Sequence, residues 1–324
     1  MARPSTGWST CPGAHAIRCR SSIRGIQTSL WSACRAVRMR TRPRVTRPPR
    51  SRDICARCMP GPMPERGTIL LIHGAWQGAW VWQALVPKLK AAGADPVALD
   101  LPGNGADGRD PAEVSFEDHV THARAALLSS DGPVQIVAHS GGGVLATQLA
   151  EDHPERVAQI VYVAGMMLPS GVTFPEFTAP FVATDPAHLG IAAHLEEAPG
   201  ASVVPESAAV EVFYHDVDSG LAAEAAQRLT PQGDGVRAPR VRWTEARAGS
   251  VPRAYLRCAG DRSVLPAVQD AMLAARPGAR VVRLTCGHAP MLAAPDALRA
   301  ALLDLLFGAG EPAQASANAR GGMA

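Results

Sequence analysis

Val134-Gln135-Ile136-Val137-Ala138-His139-Ser140-Gly141-Gly142-Gly143 joins an apolar run to a turn of small residues near the middle of the chain. The apolar run 134–138 reads as a buried strand, and residues 144–151 read as a helix. Between them, one serine is followed by three glycines. A strand that turns abruptly into a helix holds a serine at its crest only if the neighbouring side chains are small. Ala138 and Gly142, two before and two after Ser140, meet that demand. This is the nucleophile-elbow pattern G-x-S-x-G with alanine in place of the first glycine. A glycine-rich turn with an incidental serine would look the same over five residues, so the flanking chain has to decide.

Outward from this stretch, apolar runs recur at a regular spacing. Residues 67–73, 96–99, 159–164, 252–256 and 280–284 read as strands, buried on both faces where the run is continuous. Helices are expected over 80–92, ended by Gly93, over 115–129, opened by the Ser115/Asp118 capping pattern, and over 295–307. Six strands alternating with helices predict an α/β fold with a doubly wound, mostly parallel sheet, because parallel neighbours need helical crossovers. The alternation fails over about eighty residues rich in proline and phenylalanine, with short helical pieces such as 221–229. The expected layout is a core of 63–167 and 249–310, an inserted cap of 168–248 over the carboxyl ends of the strands, and a flexible tail of 311–324.

The net charge of +3 over 324 residues joins two unlike parts. Residues 1–62 hold 13 Arg, no Lys and one acid, Asp53, whereas the remainder holds 19 basic and 28 acidic residues. The acidic body gives no sign of nucleic-acid binding. Residues 1–62 show no periodicity and are expected to be disordered. An organellar transit peptide, a basic tail for a polyanion, and upstream sequence read from a mis-assigned start before Met59 or Met63 all fit them. No apolar run suits a signal peptide or a membrane span. Five of seven cysteines lie in this segment, and Cys55-x-x-Cys58 lacks the partners a zinc site needs. Cys258 and Cys286 alone fall in the body, which suits a reducing, cytoplasmic setting. No metal, cofactor, nucleic acid or membrane is expected, and monomer and homodimer both stay open.

A serine hydroxyl needs a base to take its proton, and the base needs a third group to fix its tautomer. On such a sheet these arrive in the order serine, acid, histidine. His288, in Cys286-Gly287-His288-Ala289-Pro290, is the histidine beyond the last strand. His73, His139 and His215 suit the role less: His73 precedes a turn glycine, His139 leaves the crest in another direction, and His215 lies in the insertion. Asp261 follows the strand 252–257 directly and is the expected acid, although it could also cap the next helix. Asp270 would fall inside that helix. The two backbone N–H groups of an oxyanion hole are expected from Gly141 and from Ala75 in the loop after the first strand.

His-Gly-Ala-Trp-Gln-Gly-Ala-Trp-Val-Trp (73–82), Ala-Leu-Asp-Leu-Pro-Gly (98–103), Ala-His-Ser-Gly-Gly (138–142), Ala-Gly-Asp (259–261) and Gly-His-Ala-Pro-Met-Leu (287–292) together resemble an α/β-hydrolase. The tryptophan-rich first loop is similar to the branch of plant methyl-ester esterases, hydroxynitrile lyases and bacterial esterase relatives. Residues 213–218 and 228–232 look like a piece of the cap in the bacterial relatives. The lyases place a lysine after the catalytic histidine and a hydroxyl side chain in the first loop, where this chain has Ala289 and Ala75. The resemblance therefore implies a serine hydrolase of small carboxylic esters of a hydrophobic acid, acting through an acyl-enzyme. Trp76, Phe174, Phe177, Phe181 and Phe213 are candidates to line its pocket, unless they simply pack the cap. A cofactor-free C–C hydrolase or perhydrolase with the same triad, and a non-catalytic small-molecule receptor on this fold, are the alternatives.

Overall fold

A computed structural model describes residues 67–308; the expectations for residues 1–62 and 311–324 lie outside the described residues. Six strands, β1 (Thr68–Ile72), β2 (Asp95–Ala98), β3 (Val134–His139), β4 (Val157–Val163), β8 (Arg253–Cys258) and β9 (Arg280–Leu284), form one sheet in the order β2-β1-β3-β4-β8-β9. Every pairing in it is parallel. Ile69 and Leu71 of β1 enter one hydrophobic cluster, while Leu70 and Ile72 enter another on the opposite face. Alternate side chains are thus buried on both sides, which is why the strand reads as a continuous apolar run. Pro96 is tolerated in β2 because this strand is an edge.

The chain runs from β1 outward to β2 and then returns across to β3. The strand order therefore reverses between β1 and β3, and a crevice opens at their carboxyl ends. The loops carrying Ala75 and Ser140 leave from these two strands.

The helix expected over 80–92 is broken. A 3₁₀ turn at Ala79–Trp82 is followed by a separate α-helix at Val86–Ala91. Pro87 has no N–H to donate, so it cannot sit inside one long helix and instead occupies a first turn. The helix Phe116–Leu128 does carry both bonds of the Ser115/Asp118 capping box.

Between β4 and β8 no strand joins the main sheet. Helices Phe174–Thr184 and Ser219–Gln227 lie there, with a three-stranded antiparallel sheet of β5 (Glu196–Ala198), β6 (Ala201–Val203) and β7 (Gln232–Gly233). Gly200, at φ +66, supplies the left-handed residue of the turn between β5 and β6.

Candidate active site

Ser140 has φ +49, a backbone conformation that side-chain-bearing residues seldom adopt. The strain is held by three backbone bonds. Ser140 N–H donates to the Val163 carbonyl at 3.2 Å, and the Ser140 carbonyl accepts from Gly143 at 3.0 Å and Met166 at 2.9 Å. The glycines are not equivalent. A Cβ on Gly142 would lie 2.5 Å from the His73 carbonyl oxygen, and one on Gly143 would lie 2.9 Å from the Met166 nitrogen. A Cβ on Gly141 would meet nothing nearer than the Ala75 nitrogen at 3.7 Å. The small residue two after the serine is thus a steric requirement.

Ser140, Asp261 and His288 meet at one point. The Ser140 hydroxyl lies 3.1 Å from His288 Nε2, and His288 Nδ1 lies 2.8 Å from Asp261 Oδ2. All three residues are buried. The other carboxylate oxygen, Oδ1, accepts from Ser263 N–H at 2.7 Å and Val264 N–H at 2.9 Å. Asp261 thus caps a turn as well as facing the imidazole; the next helix starts later, at Pro266. Gln269, fully buried on that helix, donates to Oδ2 at 3.3 Å and exchanges two bonds with the Cys258 backbone. Asp270 instead pairs with Arg257. With Oδ2 accepting, the proton of a neutral His288 sits on Nδ1, so Nε2 faces the hydroxyl as an acceptor.

Beside the serine, the N–H groups of Ala75 and Gly141 engage no hydrogen-bond partner among the described residues. Gly141 directly precedes the helix Gly142–Asp152, whose amino end adds positive potential there. The neighbouring Trp76 N–H is not free, because it donates to Gln232 Oε1 at 2.9 Å. His73 fixes the same loop: Nε2 accepts from Leu101 N–H at 3.1 Å and Nδ1 faces the Gly74 carbonyl at 2.8 Å. Burial lowers its pKa to about 4, so it is neutral. His139 turns beneath the crest, with Nε2 2.8 Å from the His288 carbonyl and Nδ1 3.0 Å from the Gln77 amide. Burial, then the neighbouring His288, hold it well below the usual histidine range.

A cavity of about 220 Å³ opens onto Ser140, Ala75 and Gly141. Its walls are mostly apolar, with Leu145, Met166, Phe174 and Ile191 among them. Trp76 also lines it. Phe177 and Phe213, expected there, lie elsewhere. Phe177 packs beside Phe181, and Phe213 stacks on the His288 ring. Among the described residues, Arg237 is the one lysine, arginine or carboxylate side chain on the wall, and it is 3.3 Å from Asp234 and 3.7 Å from Glu197.

The sequence reading missed Gln269, Gln77, Gln232 and Asp216, which accepts from Gly287 N–H. Each is a polar residue whose role appears only when distant segments meet. Gln77, Asp216 and Gln232 fall within stretches that carry the family resemblance, but nothing local gave them a role.

Among the described residues, no helix is long and apolar enough to cross a membrane. No cluster of His, Cys, Asp or Glu among them could hold a metal ion.

The model of the alpha/beta hydrolase family matches residues 69–301, and the chain belongs to that family. It is 30% identical over 245 residues to a pyrethroid hydrolase of Sphingobium wenxiniae, covering 73% of this chain and 86% of that protein. It is 29% identical to methylesterase 7 of Arabidopsis thaliana, covering 73% and 95%. The crystal structure of a pyrethroid hydrolase from Sphingobium faniae superposes with a TM-score of 0.64 at 27% identity, over 74% of this chain and 97% of that one. These relatives carry the names of carboxylic ester hydrolases.

Proposed function

We propose that this chain is a serine carboxylesterase that cleaves small, uncharged esters of a hydrophobic acid through an acyl-enzyme. The observation that carries this reading is the continuous contact Asp261–His288–Ser140 beside two unengaged N–H groups. His288 Nε2 takes the hydroxyl proton as Ser140 Oγ attacks the ester carbonyl, and Asp261 stabilises the imidazolium that forms. The carbonyl oxygen, now an alkoxide, is received by Ala75 and Gly141 N–H. His288 then protonates the departing alcohol, and the same base activates the water that releases the acid.

Substrate charge follows from the wall. Arg237 is paired with Asp234 and Glu197, so among the described residues the wall offers no unpaired cation to a carboxylate on the substrate. Its apolar lining suits an alkyl or aryl acyl group. Of the named relatives, one is a hydrolase of pyrethroids and the other a methylesterase, in keeping with an ester substrate. Ala289, buried behind His288, carries no amine that could hold cyanide, so cyanohydrin cleavage has no support.

Methyl, ethyl and aryl esters of hydrophobic acids, assayed with the wild type and Ser140→Ala, test the proposal. Turnover of several of them that vanishes in the variant is the expected result. Undiminished turnover in the variant overturns it.

A further inference from the structure

The residue after the Ala75 oxyanion donor is itself strained: Trp76 has φ +60, in the left-handed region. A tryptophan stays there only if its surroundings hold it. Four contacts do so, and all come from the cap. Trp76 N–H donates to Gln232 Oε1 at 2.9 Å, and the Trp76 carbonyl accepts from Thr230 N–H at 2.9 Å. The indole Nε1–H lies 3.2 Å from both the carbonyl and the hydroxyl of Ser202. Ser202 and Gln232 are register partners across β6 and β7, and both are buried. One cross-strand pair therefore grips the main chain and the side chain of the same residue.

From this we infer that Gln232 and Ser202 are positioning residues for the oxyanion hole. The inference rests on the esterase reading above. The peptide between Ala75 and Trp76 cannot rotate without breaking the Gln232 bond, and the direction of the Ala75 N–H depends on that stretch of backbone. Gln232 also takes the Trp76 N–H out of competition, leaving the Ala75 N–H to meet the alkoxide. The small sheet is fixed in turn: a Cβ on Gly233 would fall 1.9 Å from the Pro111 carbonyl oxygen, and one on Gly200 would fall 2.8 Å from Ala112 Cβ. The cap thus acts as a brace on the catalytic loop as well as a cover.

Two substitutions at Gln232 separate bracing from packing. Gln232→Met keeps the bulk and removes the acceptor, while Gln232→Glu keeps an oxygen in the same place. Gln232 also lies on the cavity wall, so KM can shift with its side chain; a mispositioned donor costs less than a deleted one, and Gln232→Met is expected to lower kcat about 10- to 100-fold. Affinity for a trifluoromethyl ketone, which forms the tetrahedral alkoxide, should fall by a similar factor. Gln232→Glu should recover most of both. Circular dichroism confirms that the variants remain folded, and Ser202→Ala, which removes one of the two indole contacts, gives a second, smaller loss of the same kind. The inference is wrong if Gln232→Met and Ser202→Ala fold normally and keep wild-type kcat and ketone affinity while Ser140→Ala is inactive. If Ser140→Ala stays active, it is the esterase reading that has failed.

Discussion

Phe213, from the inserted segment, lies against the His288 imidazole with ring centroids 5.2 Å apart and planes 24° from parallel. Its centroid also lies 6.3 Å from that of Trp76, with the planes tilted by 34°. One buried phenylalanine therefore packs against both His288 and the residue after Ala75. Phe213→Ala is expected to destabilise the fold by about 3 kcal/mol, from lost burial and the cavity left behind. It should also lower kcat by about tenfold as the imidazole becomes loose and hydrated. KM for a small ester should change little, because the ring is not on the cavity wall. Steady-state kinetics with urea unfolding read both effects, and a large KM change with unchanged kcat would place the ring in the pocket instead.

Stability should fall in mild acid. Burial depresses the His73 pKa from 6.5 to about 4. Between these values the unfolded chain binds a proton that the folded chain refuses, so stability is fully present above about pH 6.5 and lost as pH falls towards 4. His73 alone accounts for a decline of about 3 kcal/mol across that window. His139 and His119, also lowered mainly by burial, act in the same direction. Urea midpoints measured from pH 7.5 to 4 should trace the decline, and His73→Asn should make it shallower. A flat profile would show that His73 takes up a proton as readily in the folded protein as in the unfolded chain.

The first two glycines after Ser140 should respond unequally to alanine. Gly142→Ala forces a methyl group against the His73 carbonyl, and a loss of at least ~2 kcal/mol together with activity is expected. Gly141→Ala has room for its methyl, and φ −56 is ordinary for alanine, so stability should stay within about 1 kcal/mol of wild type. Thermal denaturation of the two variants checks the contrast.

The four interior strands of the main sheet were legible because they are largely buried and read as apolar runs, whereas β2 and β9 at the edges are largely exposed and read from shorter runs. Asp261 and His288 were legible for a related reason: each follows such a run within a few residues and opens onto the same sheet edge. The break at Gln83–Leu85 was less plain, although Pro87 marked it. The small sheet left no signal, since strands of two and three residues cannot show an alternation. The contacts of Gln232 and Ser202 could not be read for the same reason, although Gln232 lies in the stretch 228–232 that resembles the cap of the bacterial relatives. Their importance lies in reaching Trp76, more than 120 positions away in sequence. Of the aromatic residues expected in the pocket, Phe213 went instead to the base. Composition tells that such a ring is buried, but not which surface it covers.

An esterase of this kind carries a covalent acyl group on Ser140 during turnover. Mass spectrometry of the enzyme quenched in acid within milliseconds of mixing with a p-nitrophenyl ester reads that group. The expected result is a mass increase equal to the acyl group, confined to the peptide that contains Ser140 and absent from Ser140→Ala. Turnover without any adduct, or an adduct on another residue with Ser140 unmodified, would contradict it.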